Sequence, residues 1–403
     1  MTGTPRNMAG NWLQSSPLRQ GLKRARAGSP EERDKFLKTR PEVVLGFCLI
    51  TTLLGGLQPL AASALYQVTD LGTLGGSGSA ANGINNTGQI TGNSFTASGT
   101  AHAFLYSNGH MADLGTLGGD FSTGNSINNL GQVTGYSTTF AVQSRAFLYS
   151  NGQMTDLGVS NNSLSYGYAI NNVGQVTGYS NALFGIGPAH AFLYSNGQII
   201  DLGTLGGPSS SGNGLNDRGQ VVGQANTSAS VYHAFLYSNG QMQDLGTLPG
   251  YLNSQGNAIN NAGQVTGSAT PSFGNGPAHA FLYSDGQMMD LGTLSGRDTQ
   301  GTAINNAGQV VGFSFSPYTV QDPYHAFLYS DGQMTDLNDL IDPALGITLR
   351  AATAINDRGQ IVANGNNRAY LLTPVPEPGT WALFCIALFL SGVGLRYPAR
   401  WRR

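Results

Sequence analysis

The chain has 403 residues, of which 10% are charged and 58 are glycine, and its formal net charge is -2. Between Leu65 and Thr373 it contains no lysine and no glutamate, and aspartates outnumber arginines by more than two to one. An acidic stretch without a basic patch argues against nucleic acid or an anionic membrane surface as its partner. The two cysteines, Cys48 and Cys385, lie outside this stretch, which excludes disulfide and thiolate chemistry within it.

Residues 1–64 are predicted to be a basic N-terminal region followed by a signal peptide. Basic residues precede an apolar run from Val43 to Leu54, and the small residues Ala61–Ala64 follow it. This order is typical of a secretory signal peptide, with cleavage expected after Ala64. An uncleaved membrane anchor is the alternative interpretation.

The stretch 65–373 consists of seven copies of one unit, which recur at intervals of roughly 45 residues. One repeated element reads His-Ala-Phe-Leu-Tyr-Ser-Asn-Gly, with Arg145 and Arg368 replacing the histidine in two units. A second element reads Ile-Asn-Asn-x-Gly-Gln-Val-x-Gly, and a third reads Asp-Leu-Gly-Thr-Leu or a variant. The histidines of the first element are His102, His190, His233, His279 and His325. The aspartates of the third element are Asp70, Asp113, Asp156, Asp201, Asp244, Asp290 and Asp336.

Each unit is predicted to form four short antiparallel strands. The first runs into the Ile of Ile-Asn-Asn, and the others contain Gly-Gln-Val-Thr-Gly, Ala-Phe-Leu-Tyr-Ser and Gln-Met-x-Asp-Leu. Dipeptides such as Asn108-Gly109 favour a type I′ hairpin between the third and fourth strands, because both positions require positive φ. One small sheet cannot bury both of its faces, so the units must stack. The sequence therefore predicts an all-β fold, a seven-bladed β-propeller of four-stranded antiparallel blades. An open β-solenoid is the alternative.

The two ends of the repeat region predict how the ring closes. The last unit stops after its third strand, at Ala369–Thr373, and a spare fourth strand precedes the first unit, at Tyr66–Leu71. We expect these two segments to pair in one sheet. An open solenoid would not require the last unit to lack a strand.

The repeated histidines and aspartates allow two interpretations. They can form a ring of metal or proton-transfer sites, or each pair can form a hydrogen bond that stabilises its blade, as in a comparable device of WD-repeat propellers. The second interpretation is favoured, because Arg145 can still donate to a carboxylate whereas a metal site would lose a ligand there. We therefore expect no catalytic, cofactor-binding or metal-binding residue among them.

The loops between the second and third strands vary most in length and composition, and they carry aromatic residues. On one face of a propeller, such side chains can stack on sugars or anchor a protein partner. The alternative is that they only cap the core. The residues are Phe95, Phe140, Phe184, Phe273, Phe315 and Tyr318.

The C-terminal residues have three predicted parts. A linker, 374–380, carries the motif Pro376-Glu377-Pro378. The apolar run 381–395 is predicted to be a transmembrane helix. The basic tail 396–403 is predicted to stay in the cytoplasm, which places the repeats outside. The basic residues of the tail are Arg396, Arg400, Arg402 and Arg403.

Two family resemblances follow from these motifs. The order of Pro-Glu-Pro, apolar run and basic tail, Val375 to Arg403, resembles the PEP-CTERM sorting signal of Gram-negative bacteria. That resemblance implies an exosortase that recognises the motif and removes the tail, in bacteria that produce exopolysaccharide, biofilms or flocs. The repeats, Tyr66 to Thr373, resemble the extracellular HAF-repeat family, from which Arg145, Arg368 and Tyr370 depart. This second resemblance implies an extracellular location and no defined activity.

These features together predict a non-enzymatic, exported cell-surface or extracellular-matrix protein, which is held in the membrane by its C-terminal helix before processing. We expect it to bind exopolysaccharide or another surface protein through the propeller face and to need no cofactor. One alternative is a structural adhesin without a small ligand. Another is a propeller hydrolase or lyase that acts on extracellular polysaccharide and uses aspartates outside the repeat pattern. Those aspartates are Asp120, Asp298, Asp322, Asp339 and Asp342.

Overall fold

A computed structural model describes residues 65–159, 164–181, 188–271, 276–294, 297–315 and 324–375. All of them belong to one structural unit, Ala64–Arg403. The predicted signal peptide, the Pro376-Glu377-Pro378 motif, the apolar run 381–395 and the basic tail lie outside the described residues. Within the described ranges, no helix is long and apolar enough to cross a membrane.

The described residues form seven four-stranded antiparallel sheets, each with an innermost, a second, a third and an outer strand. The innermost strands are β2 (Gly75–Ile84), β6 (Gly118–Ile127), β10 (Ser165–Ile170), β14 (Gly206–Leu215), β18 (Asn253–Ile259), β22 (Thr299–Ile304) and β26 (Ala351–Ile355). The second strands are β3 (Ile90–Thr96), β7 (Val133–Thr139), β11 (Val176–Asn181), β15 (Val221–Thr227), β19 (Val265–Thr270), β23 (Val310–Phe315) and β27 (Ile361–Gly365).

The remaining strands complete each sheet on its outer side. The third strands are β4 (Ala101–Ser107), β8 (Ser144–Ser150), β12 (Ala189–Ser195), β16 (Tyr232–Ser238), β20 (His279–Ser284), β24 (Tyr324–Ser330) and β28 (Arg368–Pro374). The outer strands are β5 (His110–Asp113), β9 (Gln153–Asp156), β13 (Gln198–Asp201), β17 (Gln241–Gly246), β21 (Gln287–Asp290), β25 (Gln333–Asp336) and, in the seventh sheet, β1 (Tyr66–Asp70). Two short 3₁₀ helices, Leu337–Leu340 and Pro343–Leu345, follow β25.

The sheets are arranged around a closed circuit. Each innermost strand contacts the innermost strand of the next sheet, and β26 contacts β2. A single parallel bridge between Ala101 and Phe121 also links the first sheet to the second. This arrangement is a β-propeller, and we call its seven sheets blades one to seven in the chain order of their innermost strands. An open solenoid would leave the first and last sheets apart.

The seventh blade closes the circuit as the sequence predicts. Strand β1 pairs with β28 in antiparallel register, with Tyr66 opposite Pro374 and Asp70 opposite Tyr370. The backbone N–H of Val375 donates to the Leu65 carbonyl oxygen at 2.9 Å. The sheet therefore extends past Thr373, where the sequence predicts the repeat region to end.

The connections lie on two faces of the propeller. One face, which we call the turn face, carries the Ile-Asn-Asn turns and the hairpins between third and outer strands. In the first hairpin, Asn108 has φ 52° and Gly109 has φ 82°, which is the backbone of a type I′ turn. The opposite face, which we call the loop face, carries the loops between second and third strands and the Asp-Leu-Gly connections from one blade to the next.

The hydrophobic core is divided into clusters that lie between neighbouring blades. One cluster combines Ala103 and Leu114 from the first blade and its connection with Ile127, Val133 and Phe147 from the second. Six third strands each contribute one phenylalanine that is fully buried, which explains the repeated Ala-Phe sequence. These residues are Phe104, Phe147, Phe192, Phe235, Phe281 and Phe327.

A ring of asparagines joins the blades at the turn face. The first Asn of each Ile-Asn-Asn motif is only 3–4% exposed, and its Nδ2 donates to the backbone oxygen of the equivalent Asn in the next blade at 2.9–3.1 Å. The seventh of these bonds returns from the last blade to the first, so the ring is complete. The residues of this asparagine ring are Asn85, Asn128, Asn171, Asn216, Asn260, Asn305 and Asn356.

Each asparagine of the ring also has all its other hydrogen-bonding groups satisfied. Asn128 donates to Gln132 Oε1 at 2.7 Å, and its Oδ1 accepts from the backbone N–H groups of Leu130 and Gln132. A shorter or apolar side chain would leave several buried polar groups without a partner. The repeated Asn therefore stabilises both its own turn and the contact with the next blade.

We predict that Asn128→Ala lowers the free energy of unfolding by about 2–4 kcal/mol, because the Asn171 carbonyl and the N–H groups of the turn lose their partner. The matched control is Leu130→Ala, an exposed position in the same turn, for which we expect a loss below about 1 kcal/mol. Urea unfolding, followed by far-UV circular dichroism, measures the free energy of unfolding of both variants. Equal losses for the two variants would contradict this role of Asn128.

Candidate functional site

The repeated histidines and aspartates pair within blades. In five blades the histidine Nδ1 lies 2.5–2.9 Å from the aspartate Oδ2, which confirms the predicted hydrogen bond. The pairs are His102–Asp113, His190–Asp201, His233–Asp244, His279–Asp290 and His325–Asp336. Among the described residues, no group of three or more His, Cys, Asp or Glu side chains is placed to hold a metal ion.

The same aspartates also shape the connections between blades. In all seven units the carboxylate accepts a hydrogen bond from the backbone N–H two residues later at 2.7–2.8 Å, as Asp113 does from Gly115. This is an Asx turn, which directs the chain from the outer strand towards the next blade. Asp70 and Asp156 take part in it although they have no histidine in their repeat. The aspartates are thus accounted for by the architecture.

A second ring lies beside the asparagine ring, at the more exposed position that follows it. Each side-chain oxygen accepts from the backbone N–H of the equivalent residue in the preceding blade at 2.8–3.0 Å, and this ring is also complete. We call it the outer ring. Its residues are Asn86, Asn129, Asn172, Asp217, Asn261, Asn306 and Asp357.

Two carboxylates stand in the outer ring where other blades have an amide. Burial raises the pKa of Asp217, but hydrogen bonds from the backbone and side chain of Asn172 and from Asn261 bring the pKa below its usual value. The pKa of Asp357 is lowered in the same way by Asn306 and Asn86, against the opposing effect of burial. Both groups are therefore held as carboxylates near neutral pH.

Of the predicted loop aromatics, Phe140 lies in a turn, whereas Phe95 and Phe315 are residues of strands β3 and β23 near the loop face. The three belong to different blades. Phe95 is 41% exposed in the first blade, and Phe140 is 90% exposed beside Gly118 in the second. Phe315 packs edge-on against Tyr324 in the sixth blade, with their centroids 5.5 Å apart. No ring contact joins these three described phenylalanines. Phe184, Phe273 and Tyr318 lie outside the described residues.

A β-bulge recurs at the same place in all seven innermost strands. Such a bulge re-aims one side chain. In six blades the bulged residue is Asn or Thr, and it donates to a backbone oxygen of the next blade at 2.7–2.9 Å. Those six residues are Asn82, Asn125, Asn213, Asn257, Thr302 and Thr353.

The seventh bulged residue is Tyr168 in the third blade. Its ring lies against Tyr179, on the neighbouring strand of the same blade, and no hydrogen bond joins its hydroxyl to the next blade among the described residues. Burial, followed by the neighbouring tyrosines, raises the pKa of Tyr168 well above its ordinary value. In the part of the chain that the structure describes, the third blade therefore lacks a hydrogen bond that each of the other six blades makes to the next blade.

Tyr168 belongs to a cluster of aromatic rings between the second and third blades. Tyr166 stacks on Tyr179 with a centroid distance of 5.0 Å and meets Tyr136 edge-on at 4.7 Å. Tyr168 lies 5.7 Å from Tyr179, and Phe121 lies 5.6 Å from Tyr136. Rings at these separations stabilise one another, so the cluster forms a fixed aromatic surface.

A cavity of about 580 Å³ adjoins this cluster, and we call it the tyrosine cavity. Its walls come from the third, fourth and fifth blades near the loop face, and this volume is in the range of small-molecule sites. None of its described lining residues is charged. They are Tyr168, Tyr179, Ala189, Ser209, Ser210, Ser211, Asn213, Gln224, Tyr232, Gln255 and Asn257.

The tyrosine cavity is not among the sites predicted from the sequence. The predicted binding residues belong to the variable loops, whereas the cavity is lined mainly by strand residues. A signal was present, because Ser-Tyr-Gly-Tyr-Ala-Ile in the third unit has Tyr168 where every other unit has Asn or Thr. Departures from a repeat within its strands would have pointed to this position.

Comparison with known proteins identifies a match to part of the chain. The family model described as "Protein of unknown function (DUF3466)" matches residues 243–371. No curated protein matches the sequence.

Several solved structures are similar at low identity. The β-propeller domain of the Trilobed protease from Pyrococcus furiosus has 10% identity and a TM-score of 0.47, over 66% of this chain and 86% of that one. A streptogramin B lyase has 12% identity and a TM-score of 0.49, over 78% and 100%. TolB from Acinetobacter baumannii has 12% identity and a TM-score of 0.40, over 69% and 76%.

The lowered pKa values in the outer ring predict an acid dependence of stability. A carboxyl whose pKa is lower in the folded than in the unfolded chain adds stability above about pH 4, and this stability is lost as the pH falls through the folded value. We expect a variant with both Asp217→Asn and Asp357→Asn to lose less stability than the wild type between about pH 5 and about pH 2.

Urea midpoints measured across that pH range give the comparison. The matched control is the pair Asp285→Asn and Asp331→Asn, which changes net charge equally at hairpin positions where other blades already have Asn. Parallel acid profiles for the wild type and the outer-ring variant would show that these carboxylates carry no such stability.

Proposed function

We propose that this chain is an exported, non-enzymatic protein of the cell surface or extracellular matrix that binds exopolysaccharide or another surface protein through the loop face of a seven-bladed propeller. One observation carries the proposal. The repeated polar residues are engaged in hydrogen bonds that hold the blades, whereas the tyrosine cavity departs from the repeat and presents aromatic rings and uncharged polar groups. Such a site suits binding rather than acid–base chemistry.

Two of the five aspartates outside the repeat pattern, Asp298 and Asp342, support a non-enzymatic protein. Asp298 accepts from the backbone N–H of Ala278 at 2.7 Å, and Asp342 caps a 3₁₀ helix by accepting from Ala344 at 2.9 Å. These carboxylates have architectural partners, which favours binding over hydrolase or lyase chemistry.

The proposed export and sorting rest on the ends of the sequence. Residues 1–64 would direct secretion, and 381–395 would hold the chain in the membrane with the basic tail inside. An exosortase would then recognise Pro376-Glu377-Pro378 and release the propeller to the surface or matrix.

A deletion tests the sorting step. We predict that a chain lacking Pro376–Pro378 stays in the inner membrane, because its apolar anchor is no longer removed. Cell fractionation with immunodetection measures the location, and a deletion of the same length in the loop 97–99 is the control. An unchanged surface fraction would contradict the sorting step.

A binding screen combined with a turnover assay tests the proposed activity. The purified protein is applied to polysaccharides and surface proteins extracted from the producing bacterium, and released sugar fragments are measured in the same samples. We predict retention on at least one component without fragment release. Turnover of a glycan would overturn the non-enzymatic assignment, and retention on no component would overturn the binding role.

A further inference from the structure

Tyr168 occupies the bulged position at which the other six blades carry Asn or Thr. In the other blades the bulged Asn or Thr adds one hydrogen bond to the next blade, as Asn125 does to Gly167 at 2.8 Å. Tyr168 forgoes that contact, and its ring faces the tyrosine cavity together with Tyr179. A structural contact has thus been replaced by aromatic surface at the wall of a cavity.

The polar groups of the cavity provide hydrogen-bond donors and acceptors without charge. The Gln224 side-chain amide has no hydrogen-bond partner among the described residues, although it lines the cavity. Asn213 donates one amide proton to the Gly256 carbonyl, and Gln255 donates to Asn257, so both keep capacity for a ligand. Tyr232 is 39% exposed, and its hydroxyl lies 3.4 Å from Ser209 Oγ.

We infer that the tyrosine cavity binds an uncharged carbohydrate, with the ring faces of Tyr168 and Tyr179 against the C–H face of a sugar and the amides of Gln224 and Asn213 on its hydroxyls. This inference rests on the proposed function and narrows the proposed binding to one ligand class and one site. Apolar faces and hydroxyl groups alternate on a sugar ring, and the cavity offers a matching surface for each.

The charge of the surroundings favours a neutral over an acidic glycan. No described lining residue can pair with a carboxylate or sulfate, and the repeat region carries more aspartates than arginines. A second cavity of about 500 Å³, between the seventh and first blades, has Arg350 and Arg368 in its lining. An acidic sugar would find complementary charge there rather than in the tyrosine cavity.

The variant Tyr168→Asn tests the inference with a residue that the repeat already uses at this position. It gives the third blade the residue that four other blades carry at the bulge, so we expect the chain to fold and the next blade to be contacted as elsewhere. The matched control is Phe313→Asn, which removes an aromatic ring from β23, the second strand of the sixth blade. Phe313 occupies the repeat position of Tyr179 but does not line the cavity.

The probes are gluco-, xylo-, manno- and galacto-oligosaccharides of six residues, with hexagalacturonate as the acidic comparison. Binding to the full-length protein is measured by isothermal titration calorimetry, and thermal unfolding verifies that each variant is folded. We expect at least one neutral oligosaccharide to bind, hexagalacturonate to bind at least tenfold more weakly, Tyr168→Asn to lose at least tenfold in affinity, and Phe313→Asn to change it less than twofold.

Two results would overturn the inference while leaving the proposed function intact: binding of hexagalacturonate alone, or binding of a neutral oligosaccharide that Tyr168→Asn leaves unchanged. If no oligosaccharide binds but a surface protein is retained in the binding screen, the carbohydrate inference also fails and the wider proposal stands. Absence of binding in both experiments would overturn both.

Discussion

The structure depends on hydrogen bonds that no blade can complete by itself. Each asparagine of the asparagine ring satisfies its own turn and retains one amide proton, which only the carbonyl of the next blade accepts. Because Asn356 donates to Asn85, the series has no end. A missing blade would leave a buried donor on one side and a buried acceptor on the other, at a cost of roughly 1–3 kcal/mol for each group. The core imposes the same condition, since each hydrophobic cluster draws its residues from two neighbouring blades. The repeats therefore require a closed ring of blades, and strand β1 closes the ring by completing the seventh sheet.

This division of roles explains where the repeats can vary. Positions that join blades, such as the asparagine ring and the buried phenylalanines, are nearly identical because every copy has the same neighbours. The bulged position contributes only one of several bonds between blades, so one copy can exchange it for another purpose. In the third blade Tyr168 occupies this position, beside a group of aromatic rings and an uncharged cavity. Under the proposed function, one altered position in a uniform framework suffices, because recognition needs a shaped surface more than a reactive group.

Much of the fold could be predicted from the sequence, and the reasons are specific. Short apolar runs alternate with turn-forming residues in seven copies, which predicts the strands, and the Asn-Gly dipeptides predict the hairpins between them. The missing last strand gives the pairing of Tyr66–Asp70 with the seventh sheet, and the His–Asp distance follows from that hairpin register. The links between blades could not be predicted in this way. An asparagine contacts a carbonyl about one repeat away in the chain, and only the closed circuit brings them together. The bulge that turns Tyr168 towards the cavity is a shift in register, which leaves no trace in the apolar pattern. The described loop-face aromatics Phe95, Phe140 and Phe315 belong to three different blades, and their separation around the circuit follows from the ring and not from the sequence pattern.

Closure of the circuit by the N-terminal strand is the claim that most needs a direct measurement. The repeat region has no cysteine, so a pair introduced as Gln67→Cys and Thr373→Cys would be alone there, at positions that lie opposite each other. Paired strand positions are within disulfide range. Mass spectrometry of the purified protein, digested without reduction, then reports whether the two segments are linked. We predict nearly complete linkage for this pair and little for the mismatched pair Gln67→Cys and Leu371→Cys. Equal or absent linkage in the two variants would contradict a ring closed by β1.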